Sequence, residues 1–275
     1  RILERRAIEM TIIIWSVALL ALLGILIGIL LGVAGKVFAV EVDERVTQVR
    51  ESLPGNNCGG CGYAGCDGLA EAIVAGEAQL SACPVGGAAV AAKIAEIMGM
   101  EDSSAEVARK VAYVKCSGTC ERTKSQYHYV GETDCREAAV VPGRGEKACS
   151  YGCLGLGSCV KECPFDAIHI KDGIAEVDRE KCVACGRCVA VCPNHVIELI
   201  PDASSYAVQC NSEDKGKDVM AVCETGCIGC GICVKQCEFD AITLENNLAR
   251  IDGEKCQGCG KCAEKCPKKV IFPRN

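Results

Sequence analysis

The chain has 275 residues, of which 25 are cysteine and only 11 are aromatic, with a net charge of −6 and an isoelectric point near 5.3. That cysteine usage excludes an ordinary enzyme built on a large hydrophobic core, and the acidic balance excludes bulk nucleic-acid binding. Glycine in quantity (30 residues) and so few aromatics point to several small modules, each held by covalent or metal staples.

Residues 10–35 contain no charged side chain and are nearly all apolar. At about 1.5 Å per residue the run reaches roughly 39 Å, enough to cross the ~30 Å hydrocarbon layer with some tilt. A cleaved signal peptide is the competing reading, with Arg1, Arg5 and Arg6 before the run and Val37-Phe38-Ala39 after it. Its hydrophobic region would normally be about 7–15 residues, so a retained anchor is expected. Gly24, Gly28 and Gly32 share one helix face, as small residues do where membrane helices pack closely. With a start at Met10, the basic residues Lys36, Arg45 and Arg50 all follow the helix, which puts the modules in the cytoplasm. Residues 1–9 then read as an upstream start, and their three arginines weaken that inference.

The next segments are a linker at 36–52 and a module at 53–102. Cys58, Cys61, Cys66 and Cys83 read C-x2-C-x4-C-x16-C, in a glycine-rich loop followed by short helices near 69–73 and 88–98. One [4Fe–4S] cluster is expected here, with zinc the competing occupant. A phosphate site is not, because no G-K-[ST] follows the glycines. Residues 103–148 form a polar connector carrying Cys116, Cys120 and Cys135.

Residues 149–200 and 223–275 are two copies of one unit, separated by a connector at 201–222. A shift of 74 carries Cys153, Cys159, Cys163 and Cys182 onto Cys227, Cys233, Cys237 and Cys256, and Phe165-Asp166-Ala167-Ile168 onto Phe239-Asp240-Ala241-Ile242. Within each copy the C-x2-C-x2-C-x3-C run marks a dicluster ferredoxin, in which three cysteines hold one cluster and the fourth crosses to its neighbour. Disulfides would need an oxidising compartment, and zinc normally draws paired ligands from separated knuckles. The crossed rule groups Cys182, Cys185, Cys188 and Cys163; Cys227, Cys230, Cys233 and Cys266; and Cys256, Cys259, Cys262 and Cys237. Glu238 stands where proline usually follows the fourth cysteine.

The first copy is incomplete. Cys153, Cys159 and Cys192 lack a fourth thiolate because Cys230 maps back onto Leu156. Cys149 is the expected substitute. Yet Cys149 maps onto Cys223, beside a complete set, so both could instead belong to a structure that the spacing does not define. Five cysteines are left over: Cys116, Cys120, Cys135, Cys210 and Cys223. Four of them could build a sixth cluster, or all could be inert buried thiols. The expected fold is therefore α+β: one N-terminal transmembrane helix, a small helical Fe–S module and two tandem dicluster ferredoxin modules.

Over essentially its whole length the sequence resembles the B subunits of Rnf complexes in their anaerobe form. The resemblance rests on the N-terminal helix, the Asn57-Cys58-Gly59-Gly60-Cys61-Gly62-Tyr63-Ala64-Gly65-Cys66 motif with Cys83, and the tandem modules around Tyr151-Gly152-Cys153-Leu154-Gly155 and Gly226-Cys227-Ile228-Gly229-Cys230. It implies a membrane complex that oxidises reduced ferredoxin, reduces NAD and exports Na+ or H+, with this subunit as the electron wire. Flavins and the NAD site would lie on other subunits. Residue patterns agree: no dinucleotide fingerprint is present, and His128, His169 and His195 are isolated. The competing functions are a polyferredoxin subunit of a hydrogenase or other dehydrogenase, and a zinc-binding structural protein. Residues 254–275 carry six basic side chains against two acidic, a net +4 in an acidic chain. Lys261, Lys265, Lys268 and Lys269 are the expected contact for an acidic ferredoxin.

Overall fold

The computed structural model describes the backbone of residues 2–37, 43–100 and 109–274, and the chain divides into two units, Arg1–Glu44 and Arg45–Asn275. The first unit is a long helix, α1 (Ile2–Val37), whose stretch Trp15–Gly35 is long and apolar enough to cross a membrane and has none of its side chains buried. A Cβ built on Gly24, Gly28 or Gly32 would meet nothing within 4 Å.

The second unit holds all but the first residue of α2 (Glu44–Ser52), inside the segment expected to be linker, followed by α3 (Gly65–Val74) and α4 (Gly87–Met98). Their apolar faces close on one another through Val49, Leu53, Leu69, Ile73 and Ile94, with Cys66 and Cys83 in the same core. Arg50 pairs with Asp67 at 2.7 Å, tying α2 to the first turn of α3.

Next come β1 (Lys110–Val114), α5 (Cys135–Val140), α6 (Ser158–Lys161), β2 (Ile168–Lys171), β3 (Ile174–Val177), α7 (Arg187–Val191) and β4 (Ile197–Pro201). The second half repeats this pattern with β5 (Tyr206–Val208), α8 (Gly216–Val222), α9 (Ile232–Gln236), β6 (Ile242–Glu245), β7 (Leu248–Ile251), α10 (Lys261–Glu264) and β8 (Ile271–Pro273). Four two-stranded antiparallel sheets result: β2–β3 and β6–β7 are local hairpins, whereas β1–β4 and β5–β8 join distant segments. The hairpins are legible from the β-favouring runs on either side of Asp172-Gly173, which turn with φ of +50° and +76° as a type I′ hairpin requires. The other two sheets are not. Each draws a strand from a stretch that reads as connector, so β1 completes the first module and β5 the second.

The cysteine loops share one backbone shape. Positive φ occurs twice in each, at Gly155 and Gly157, Ala184 and Gly186, Gly229 and Gly231, and Gly258 and Gly260. The second of each pair immediately precedes the short helix that carries the third cysteine. Gly155 is the most constrained: with φ at +76°, a Cβ there would also press into the Gly173 carbonyl of the hairpin turn. Gly155→Ala is expected to destabilise the first module by at least about 2 kcal/mol. A thermal melt of the iron-loaded protein within error of wild type would contradict this.

Candidate metal centres

Four thiols line each of three small cavities. Cys163, Cys182, Cys185 and Cys188 surround one, and Cys227, Cys230, Cys233 and Cys266 another. Both sets are the ones that the crossed rule names. The third cavity is lined by Cys116, Cys149, Cys210 and Cys223. This places Cys149 away from the position expected for it.

The thiol of Cys159 is pushed up to about 12 by burial, with the thiols of Cys153, Cys135 and Cys192 adding to the effect. Cys135 thus stands beside Cys159 together with Cys153 and Cys192, whereas Cys149 lines the cavity of Cys116, Cys210 and Cys223. Cys135 opens α5 behind Asp134, whose carboxylate accepts from the Arg136 N–H, and the Cys135 N–H donates at 2.6 Å to Ser158 Oγ, next to Cys159. The only sequence signal for it is the gap at Leu156, which requires a thiol from elsewhere but does not say which. Burial likewise pushes Cys149 up to about 11, and its neighbours are Cys116 and Cys223. Cys210 rises to about 12 for the same reason, near Cys227 and Cys149.

The site between the modules has internal two-fold character. The shift of 74 relates Cys149 to Cys223, and strand pairing relates Cys116 to Cys210. Val114 pairs with Ile197 and Val208 with Ile271, so each cysteine follows an equivalent strand by two residues. The Lys115 N–H bonds Val196 O at 2.7 Å and the Gln209 N–H bonds Val270 O at 2.8 Å. Equivalent donors reach the sulfurs: Cys153 N–H to Cys116 Sγ at 3.4 Å, and Cys227 N–H to Cys210 Sγ at 3.3 Å. Similar amide bonds reach Cys83 from Gly86, Cys163 from Ala167 and Cys182 from Ala112, at 3.3–3.4 Å. Amide donors lower the energy of a thiolate and set the potential of whatever metal it binds.

In the N-terminal module Cys83 is raised chiefly by burial and lies near Cys66 and Cys58. Asn57 Oδ1 accepts from the Cys66 N–H at 2.8 Å and shapes this loop. In the last set Cys262 is raised by burial, near Cys256 and Cys259. Cys120 joins none of the sets: it is exposed, its N–H bonding Asp172 O at 3.0 Å.

These residues fit iron–sulfur clusters better than single ions. Among the described residues, no three His, Cys, Asp or Glu side chains are gathered closely enough to hold one metal ion. The thiols stand instead around cavities, as corners of a larger group, with backbone donors on their sulfurs. Buried thiols with pKa values near 11–12 stay protonated unless a strongly positive centre offsets the cost of the thiolate.

The fold and the thiol sets define an electron carrier of the polyferredoxin class, attached to an apolar helix. Comparison with known families agrees: the FeS family matches residues 53–85, the 4Fe-4S dicluster domain matches 181–241 and 226–270, and the LdpA Fe-S cluster-binding domain matches 158–203. The B subunit of the Na(+)-translocating ferredoxin:NAD(+) oxidoreductase complex of Acetobacterium woodii is 53% identical over 94% of this chain and 77% of its own length. The B subunit of the ion-translocating oxidoreductase complex of Methanosarcina acetivorans is 44% identical, over 95% and 98%. The proton-translocating counterpart of Clostridium ljungdahlii is 41% identical, over 90% and 87%. The chain belongs to the family of Rnf complex B subunits.

Proposed function

We propose that this chain is the electron-transfer subunit of an ion-translocating ferredoxin:NAD oxidoreductase, taking electrons from reduced ferredoxin and relaying them to partner subunits through six [4Fe–4S] clusters. The observation that carries it is the adjacency of the thiol sets. Cys58 neighbours Cys185; Cys188 neighbours Cys159; Cys153 reaches Cys116; Cys210 reaches Cys227. A Cβ on Gly60 would collide with the Cys185 backbone, so the N-terminal loop sits directly on the first ferredoxin module. The crossed ligands Cys237 and Cys266 continue the series to Cys256, Cys259 and Cys262. This is one unbranched line, with the Cys116–Cys149–Cys210–Cys223 set as the link between modules.

Each cluster, when bound, accepts and returns one electron. The chain's own residues do the rest: thiolates hold the sites in sequence, amide donors tune them, and burial keeps solvent away. We place the modules on the cytoplasmic side, from Lys36, Arg45 and Arg50 after the apolar run. The NAD and flavin sites and the Na+ or H+ path belong to partner subunits.

Entry for ferredoxin fits the far end of the line. Cys259, Lys265 and Lys269 are exposed there, and Lys268 is half-buried. Lys261 is a weaker contact than its charge suggests, because it is paired with Glu238, the residue that replaces the usual proline. Reversing the charge of Lys265, Lys268 and Lys269 together is expected to slow reduction by acidic ferredoxin at least about tenfold at low salt, with the difference shrinking at high salt. Stopped-flow reduction at two ionic strengths measures it. Unchanged kinetics at low salt would reject this end as the entry, and failure of ferredoxin to reduce the wild-type chain at all would reject the function.

A further inference from the structure

Lys147 is the one buried lysine among the described residues, with only 7% of its surface exposed. Its Nζ donates to three carbonyls, Gly118 O at 2.8 Å, Cys153 O at 3.1 Å and Gly173 O at 2.6 Å. Three acceptors require three N–H groups, so the side chain is an ammonium. No carboxylate is among its partners in the described residues. A buried charge left without a counter-charge costs several kcal/mol, so something else answers it. Its surroundings name the candidate. Lys147 lines the cavity of Cys116, Cys149, Cys210 and Cys223, and its Nζ bonds the backbone of Cys153 in the adjoining set.

The two-fold character of this site breaks at the same place. The shift that carries Cys149 onto Cys223 carries Lys147 onto Ala221, which is exposed. The first-module side of the link therefore holds a buried positive charge, and the equivalent position on the second-module side holds none. A site ringed by four thiolates becomes more negative on reduction, so a fixed cation nearby favours the reduced form and raises the potential.

We propose that Lys147 is a positioning residue for electrons: it raises the potential of the Cys116–Cys149–Cys210–Cys223 site and of the Cys135–Cys153–Cys159–Cys192 site above that of their counterpart at Cys227–Cys230–Cys233–Cys266. Transfer from the second module towards the first is then downhill across the link. The proposal rests on the six-cluster reading above and deepens it, since six thiol sets alone do not give a direction.

The test uses the full chain, reconstituted anaerobically, as wild type and as Lys147→Met, Lys147→Gln and Lys147→Arg. Iron and acid-labile sulfide are measured, and the clusters are titrated with EPR detection. With iron content unchanged, Lys147→Met should shift one or two midpoints negative, by at least tenfold in the reduced-to-oxidised ratio at fixed potential, or about 59 mV for one electron. Lys147→Arg, which keeps the charge, should titrate as wild type. Should the methionine variant lose iron, Lys147→Gln retains two donors without the charge and takes its place. A loaded Met or Gln variant with wild-type midpoints overturns the proposal. So does loss of iron in both, which would make Lys147 only a tie between loops. A wild-type chain lacking the link site would instead be seen in its own iron content, and would overturn the six-cluster reading along with the proposal.

Discussion

Alanine at both Cys149 and Cys223 is expected to lower the iron content from about 24 to about 20 per chain and to interrupt transfer between the two ferredoxin modules. Both modules should keep their EPR signals, because the lost ligands belong to neither. If Cys149 were instead the fourth ligand beside Cys153, Cys159 and Cys192, the same double variant would damage the first module and leave a link site never formed. Cys135→Ala separates the two arrangements from the other side: it should convert or empty the first-module site and spare the link. Cys120→Ser is the control, since this exposed thiol lies outside every set, and it should change neither iron nor electron transfer. Iron analysis, EPR and single-turnover reduction of the N-terminal site by ferredoxin read all three variants. Full transfer to the N-terminal site in Cys149→Ala/Cys223→Ala would refute the link.

The positions of Cys135 and Cys149 separate the local parts of such a site, which a sequence carries, from the non-local ones. A C-x2-C-x2-C loop is local: its spacing and two positive-φ positions bring three sulfurs together whatever the rest of the chain does. The crossed ligand is nearly as legible, because Cys163 and Cys237 precede the local hairpins β2–β3 and β6–β7 in copies that align. The helix α1 and the helices around Leu69 and Ile94 are also readable from composition and apolar spacing. What escapes depends on non-local strand pairing. Cys116 and Cys210 are equivalent only because β1 lies on β4 and β5 on β8, and that pairing connects residues with no common period in the chain. The correspondence of Cys149 with Cys223 is visible at the shift of 74. Its meaning appears only when Cys116 and Cys210 supply the other two corners.

Removing the iron under anaerobic conditions is expected to unfold residues 109–274 while leaving α1 helical and part of the N-terminal helical module protected. The reason lies in what fills each core. Among the described residues, the largest fully buried side chains are Leu69, Ile73, Ile94 and Val49 around the N-terminal module and the smaller Val111, Val196 and Val219 in the rest of the second unit. Burying a valine, leucine or isoleucine contributes about 1.5–3 kcal/mol while ordering each residue costs about 1–2 kcal/mol of backbone entropy, so cores this small leave little net stability. Sulfur occupies the space that leucine and phenylalanine would fill elsewhere: Cys116, Cys153, Cys159, Cys182 and Cys188 in one core, and Cys210, Cys227, Cys233 and Cys262 in the other. The strands are three to five residues long in two-stranded sheets, below what stands alone in water. Binding of the clusters is therefore folding free energy for these modules, as for other small metal-stapled domains. Hydrogen exchange read by mass spectrometry should show the β1–β4 and β5–β8 amides losing protection on chelation, with α3 and α4 losing less. Persistent protection of β1 and β5 in the iron-free chain would mean that the protein scaffold, not its metal, holds the line of sites together.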